Sequence, residues 1–376
     1  MNINTRRHVV SDNHVRYKAI RKALEKPYSA QPQGNFARHL NTLAGLISGI
    51  VGSCKSNLPE IANKVPDGAK PESRVKRFSR WLQNKDVGAE IHFLPFVLEL
   101  LSGLTASLGT LVLAIDGSTV GRGCICLMVS VIYKKRALPI AWLVVKGKKG
   151  HFPEDIHIEL VKRVIKMIPK GTHVVFVGDG EFDGTSLLET IRKAGWEYVC
   201  RTGVNISYYV DNEKKKVGDM LENLKEGDHT EIHEALFTGE KYGPVLIISQ
   251  WDKGCKEPIF LVTNMISASV ACLYYKKRFK IETFFSDQKS RGFNLHKSHI
   301  ATPERLSKLM IATCLAYIWI IYLGVITIRR GWDKIIHRTD RCDLSLFKLG
   351  KYCLDYILNE NLKIPVAFKI YPKSVR

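Results

Sequence analysis

Paired cysteines at metal-binding spacing are missing from this sequence. Its nine cysteines, at 54, 124, 126, 200, 255, 272, 314, 342 and 353, include no CxxC, and the one close pair, Cys124 and Cys126, lies in an apolar run without further ligands. That excludes a zinc ribbon or finger and predicts reduced, mostly buried thiols of a cytoplasmic protein instead of a disulfide framework. Acidic residues are scarce, with 36 Asp and Glu against 57 Lys and Arg, a formal net charge of +21 spread over the chain. Such a field repels polycations and attracts polyanions, nucleic acid first among them, although ribosomal and membrane-surface proteins share it. Internal repeats and low-complexity tracts are lacking, which argues against a solenoid or a disordered chain. The opening MNINTRRHVV has no apolar core, so no signal peptide is expected. Charge is absent from LMIATCLAYIWIIYLGVITI, residues 309 to 328. A stretch of that length meets the criterion for a membrane span, yet it is also what a fully buried core helix looks like. Its dilution by Thr, Ala, Tyr and Gly and the RR and DK that follow favour the buried helix over a membrane anchor.

What is present is a globular composition, 376 residues with 45% hydrophobic content, enough for two or three domains. Residues 1–107 read as an all-helical, basic domain, with NFARHLNTLAGLISGIVGSC apolar at helical spacing. In PESRVKRFSRWLQN, Arg74, Lys76, Arg77 and Arg80 surround Val75, Phe78 and Trp81. A basic helix with its own apolar anchor suits contacts to DNA phosphates; it also fits an ordinary amphipathic surface helix. After Gly109 the periodicity changes. TLVLAID, CICLMVSVIY and ALPIAWLVVK read as an antiparallel meander, followed by a helix (PEDIHIELVKRVIKMI), a buried strand (THVVFVGD), a helix (GTSLLETIRKAG) and a strand (WEYVCR). The order βββαβαβ is that of a ribonuclease-H-like α/β core, here residues 108–202. Short alternating runs and Gly-Asp and Lys-Gly turns predict a β-rich insertion over 203–266. The core resumes at 267–330 with a helix, and 331–376 form a C-terminal helical region.

In that topology the first and fourth strands run side by side and parallel, because the connection through the meander and helix returns the chain in the same direction. Asp116 and Asp179, each at a strand end and each followed by glycine (IDGS, GDGE), then become neighbours with backbone room for a phosphate. Either acid by itself is more often a turn residue or a helix cap. The third element is YYKKRFKIETFFSDQK, residues 274 to 289. At about 100° per residue, Tyr275, Arg278, Glu282 and Lys289 fall within about 60° of one another, beside an apolar stripe of Tyr274, Ile281 and Phe285. The ordinary reading is a solvated face with an i,i+4 Arg–Glu pair. Read with the two aspartates, Glu282 completes a set of three carboxylates able to hold two Mg²⁺ ions, hard cations that prefer oxygen ligands. Two such ions stabilise the attacking and leaving oxygens of a displacement at phosphorus, while Tyr275, Arg278 and Lys289 bind DNA near the scissile bond.

The pattern Y-x2-R-x3-E-x6-K, met by Tyr275, Arg278, Glu282 and Lys289, resembles the signature of DDE transposases of insertion sequence family 4. LAIDGS, FVGDGEFDG, LVTN and PERLSKLMIATCLAYIWI are similar too, and the resemblance covers roughly 108 to 330. It implies Asp116, Asp179 and Glu282 as catalytic and metal-binding residues, with Mg²⁺, or Mn²⁺ in its place, as cofactor. It implies double-stranded DNA as partner, both as terminal inverted repeats and as target. Cleavage would free 3′ ends, strand transfer would follow, and a dimer would form in the synaptic complex of a bacterial, nucleoid-associated protein with no membrane. Relatives often carry D-R-G-F at the second aspartate, where this chain has Asp179-Gly180-Glu181-Phe182, which makes Glu181 and Asp183 possible helpers. Trp251 is a candidate to stack on a flipped base, against a packing role. His151 is a candidate phosphate contact or a solvated loop residue. A nuclease of the same fold without strand transfer, or a catalytically inactive, domesticated DNA-binding protein, are the alternatives.

Overall fold

The computed structural model describes residues 11–147, 152–222 and 224–370; His151 lies outside them. Six helices open the described chain: α1 (Asp12–Leu24), α2 (Gly34–Ser53), α3 (Leu58–Ala62), α4 (Pro71–Gln83), α5 (Ala89–His92) and α6 (Leu94–Leu108). Then come β1 (Thr110–Gly121), β2 (Cys124–Tyr133), β3 (Arg136–Lys146), α7 (Glu154–Ile165), β4 (His173–Gly178), α8 (Thr185–Lys193) and β5 (Glu197–Arg201). Five more strands follow: β6 (Ser207–Val210), β7 (Glu213–Lys216), β8 (His229–Phe237), β9 (Tyr242–Gln250) and β10 (Ile259–Thr263). The chain closes with α9 (Ala268–Tyr275), α10 (Lys280–Gln288), α11 (Pro303–Arg329), α12 (Asp333–Ile336) and α13 (Leu346–Asn359). Two compact units result. One is built on the sheet, from Thr105–Thr119 and Ile125–Phe285; the other is helical and gathers the helices up to Leu104, the hairpin tip Val120–Cys124 and the chain from Ser286 onward.

The sheet unit is mixed α/β, with ten strands in the order β3-β2-β1-β4-β5-β10-β9-β8-β6-β7. Its centre is apolar because the sequence supplies it: Leu111, Leu113, Ala114 and Ile115 of β1 and Val174 to Val177 of β4 are fully buried, and every residue of β2 is buried. Strands covered on both faces read as continuous apolar runs, which is why alternation fails here. β1 pairs with β4 in parallel, Thr110 opposite His173 through Ala114 opposite Val177, and β4 pairs in parallel with β5. α9 packs on β4 and β5, and α7 on β3 and α8. The β-rich stretch from 203 to 266 continues this sheet: β10 pairs antiparallel with β5 on one side and with β9 on the other.

The helical unit is organised around α11, packed by α2, α4, α5 and α13. α11 is long and apolar enough to cross a membrane, but 94% of its apolar window is buried inside the protein. A helix apolar on all sides needs a jacket on all sides, and so the chain beyond Phe285 joins the N-terminal helices, where the sequence reading extends the catalytic core to 330. α11 and α13 approach closely through glycines. An added Cβ at Gly350 would collide with the Ile320 carbonyl oxygen, and one at Gly324 with that of Leu346. Arg16, 4% exposed, donates from Nε to the Ser48 carbonyl and hydroxyl oxygens at 3.1 Å and from Nη2 to Asn13 Oδ1 at 2.6 Å. Six of the nine cysteines are buried and all are free.

Candidate active site

The register of β1 and β4 explains how two distant aspartates meet. Thr110 faces His173; the same offset, 173 − 110 = 63 and 179 − 116 = 63, brings Asp116 level with Asp179 two residues beyond the last paired position. β1 does not end at its acid, as the sequence reading expects, but runs on to Gly121; β4 is the strand that stops there. Asp116 accepts the Gly117 N–H at 2.7 Å, and Asp179 accepts that of Glu181 at 3.1 Å, a local turn that points the chain from β4 toward α8.

The glutamate arrives differently from the single helix read in the sequence. α9 ends at Tyr275 and α10 begins at Lys280. Between them Lys277, Arg278, Lys280 and Ile281 each donate a backbone N–H to the residue three before. Turns of that type advance about 120° per residue, so a wheel drawn at helical spacing does not hold across 276–281. Lys289 falls on the turn after α10. Tyr275, expected to touch DNA, is 2% exposed, and its ring lies 5.9 Å from the Arg278 guanidinium carbon; burial pushes its hydroxyl upward in pKa.

Asp116, Asp179 and Glu282 line one cavity of about 470 Å³, together with Glu181, Arg278, Ser118 and Phe152. Arg278 stands among the three acids. Its Nη1 is 3.8 Å from Asp116 Oδ2 and 4.0 Å from Asp179 Oδ2, and its Nη2 is 3.2 Å from Glu282 Oε1. The arginine side chain is 9% exposed, whereas that of Glu282 is 56% exposed. Among the described residues the lining holds four carboxylates and one guanidinium. Burial first, and the Asp179 charge second, push Asp116 from its ordinary 3.8 up to about 6 despite Arg278. Like charges crowded in a partly dry site call for a counter-charge.

Glu181 is held in place: its Oε1 accepts the Phe152 N–H at 2.5 Å and lies 3.6 Å from Nε2 of buried His157, whose ring packs 4.7 Å from that of Phe182. Asp183, its carboxyl pushed upward chiefly by burial, lies outside the cavity lining. Trp251 lines neither this cavity nor the neighbouring one of about 610 Å³ beside Asp179; its indole N–H donates to the Cys255 carbonyl at 2.8 Å. Phe152 and His157, which position Glu181, carry no signal in the sequence, since their role depends on contacts across the fold.

The donors present suit a hard divalent cation: carboxylate oxygens of one cavity, with negative charge in excess among the described residues. Among the described residues, however, no three acids, histidines or cysteines stand close enough to form a ready metal cluster. The guanidinium occupies the middle of the set.

A family model for the transposase DDE domain matches residues 109–319, more than half of the chain. The chain belongs to the transposase DDE domain family. Among solved structures, this DDE transposase chain is similar to a piggyBac transposase in a synaptic complex with hairpin DNA, at 13% identity and a TM-score of 0.47, over 93% of this chain and 80% of that one. It is also similar to the Aa-Ago protein with externally bound siRNA, at 15% identity and a TM-score of 0.25, over 54% of this chain and 28% of that one. At those scores neither likeness bears on the fold. No curated protein matches the chain.

The basic helix of the transposase is α4. Arg74 is tied within its own unit: Nε pairs with Asp67 Oδ1 at 2.5 Å, Nη1 donates to the Ala62 carbonyl at 3.0 Å, and Nη2 to that of Asp67. Arg77 meets the other Asp67 oxygen at 2.6 Å. Lys76 and Arg80 are exposed. Arg77 and Arg80 line a cavity of about 690 Å³ with Arg38, His39, Trp81 and Asn84.

Proposed function

We propose that this protein is a DNA transposase of the insertion sequence family 4 type, with a ribonuclease-H-like core carrying Asp116, Asp179 and Glu282 as its catalytic acids. It binds the terminal inverted repeats of a mobile element, cleaves the DNA and joins the 3′ ends to target DNA, acting in a bacterial cytoplasm as a dimer when the two ends are synapsed. The observation that carries this reading is the convergence of the three acids, distant in sequence, on one cavity with Arg278 between them.

Asp116 and Asp179 would hold Mg²⁺, with Mn²⁺ able to replace it, and Glu282 would complete the set from α10. When bound, such ions stabilise the attacking and leaving oxygens of an in-line displacement at phosphorus. The chain's own contribution is positioning. The parallel register fixes the two aspartates side by side, Glu181 braces the loop after β4, and Arg278 and Lys289 supply charge for the phosphates flanking the scissile bond. The basic helical unit, through Lys76, Arg77 and Arg80, supplies further contacts to the DNA backbone.

The test is cleavage and strand transfer on DNA carrying the element's own termini. Asp116→Asn, Asp179→Asn and Glu282→Gln should each abolish cleavage and leave end binding intact. Retained cleavage in any of the three removes that acid from the site. Pre-cut ends that are never joined to target DNA would reduce the protein to a nuclease.

A further inference from the structure

A permanent structural ion pair and the arrangement around Arg278 differ in a measurable way. Buried arginines that serve only the fold are satisfied by short, often bidentate contacts, because an incompletely paired buried charge is costly; Arg16 in the helical unit is such a case. Arg278 is not. Two of its three carboxylate contacts, at 3.8 and 4.0 Å, are beyond hydrogen-bond distance, and its buried Nε has no hydrogen-bond partner among the described residues. The guanidinium carbon lies 4.5 Å from the centroid of the Phe279 ring, and Phe279 is itself 46% exposed. An aromatic face attracts a cation without supplying the hydrogen-bond acceptors that a guanidinium needs.

We infer that Arg278 is an exchangeable internal counter-ion: in the DNA-free protein it stands in for the divalent cation among Asp116, Asp179 and Glu282, and it leaves for a phosphate of the incoming DNA. A phosphodiester offers paired acceptor oxygens that match the guanidinium fork better than one hydrogen-bonded carboxylate and two more distant ones do. The acids left behind then have an uncompensated charge that a divalent ion can meet. Cation loading is thereby linked to substrate binding, and the linkage is reciprocal. This rests on the reading of the three acids as a cation site.

The experiment titrates Mn²⁺ into the full chain and follows the free-ion signal by electron paramagnetic resonance, with and without a mixed-sequence DNA duplex. DNA-free Arg278→Gln should bind Mn²⁺ at least about tenfold more tightly than the wild type, which corresponds to about 1.4 kcal/mol. The duplex should tighten binding in the wild type and leave the variant unchanged. If Arg278→Gln does not fold, Arg278→Lys carries the test: its single hydrated ammonium is a looser stand-in, and its Mn²⁺ affinity should exceed that of the wild type. Equal or weaker DNA-free affinity in the folded variant overturns the exchange while leaving the cation site in place. Failure of every form to bind Mn²⁺, or binding that survives in Asp116→Asn/Asp179→Asn, would remove the cation site and the exchange with it.

Discussion

Asp116→Asn should make the protein more stable at neutral pH, although it removes a residue assigned to catalysis. Asn keeps the acceptor for the Gly117 N–H, found at 2.7 Å in the wild type, and removes only the charge. A carboxyl raised from 3.8 to about 6 disfavours folding by about 3 kcal/mol at pH 7, taking about 1.4 kcal/mol for each tenfold change in proton affinity. The sign follows from where the proton sits. Below about pH 4 the side chain is protonated in the folded and unfolded chains alike, and wild type and variant should be equally stable. From about pH 4 to 6 the unfolded chain releases the proton and the folded one retains it, so wild-type stability declines as pH rises and the variant gains relative to it; above about pH 6 the gap is constant. Thermal melts in EDTA from pH 4 to 7.5 measure this, and at pH 7 the variant should melt roughly 6–12 °C higher, from the usual 2–4 °C per kcal/mol for a unit of this size. A variant that melts at or below the wild type at pH 7, or a gap that does not shrink on acidification, would refute the reasoning.

Two of the three arginines of α4, Arg74 and Arg80, should separate cleanly. Arg80→Ala is expected to weaken DNA binding and lower the slope of log affinity against log salt by about 1, read from fluorescence anisotropy at several salt concentrations. Arg74→Ala should leave that slope unchanged and instead cost about 1–3 kcal/mol of stability in urea denaturation, because Asp67 loses one of its two arginines and the Ala62 carbonyl one of its two donors. Gly350→Ala should destabilise the helical unit by about 3 kcal/mol or more, since the methyl meets the Ile320 carbonyl; circular dichroism melts detect it.

The parts of this structure that were legible in the sequence are those governed by neighbours along the chain. Leu111 to Ile115 and Val174 to Val177 announce buried strands by composition, and the order of elements from 110 to 201 follows the alternation of apolar runs and helical patterns. The pairing of Asp116 with Asp179 followed from that order, since parallel neighbours require a crossover. Failures came where the partner lies elsewhere. The break at 276–279 depends on bonds three residues apart that a helical wheel ignores. Arg74 looked like any cation of a basic helix, but its acid sits seven residues away in a loop, and charge pattern alone does not distinguish a tied arginine from a free one. The division after Phe285 was hidden because the reason for it, the need of α11 for helices on every side, is met by α13 together with α2, α4 and α5, which lie more than 200 positions earlier.

One consequence of the continuous ten-stranded ladder concerns its cooperativity. β5 donates one edge to β4 and the other to β10, so the amides of the outer strands cannot open as an independent module without exposing the edge of the strand beside Asp179. In native-state hydrogen exchange, β9 and β10 should lose protection in the same step as β4 and β5, as one foldon, while β7 at the margin frays first.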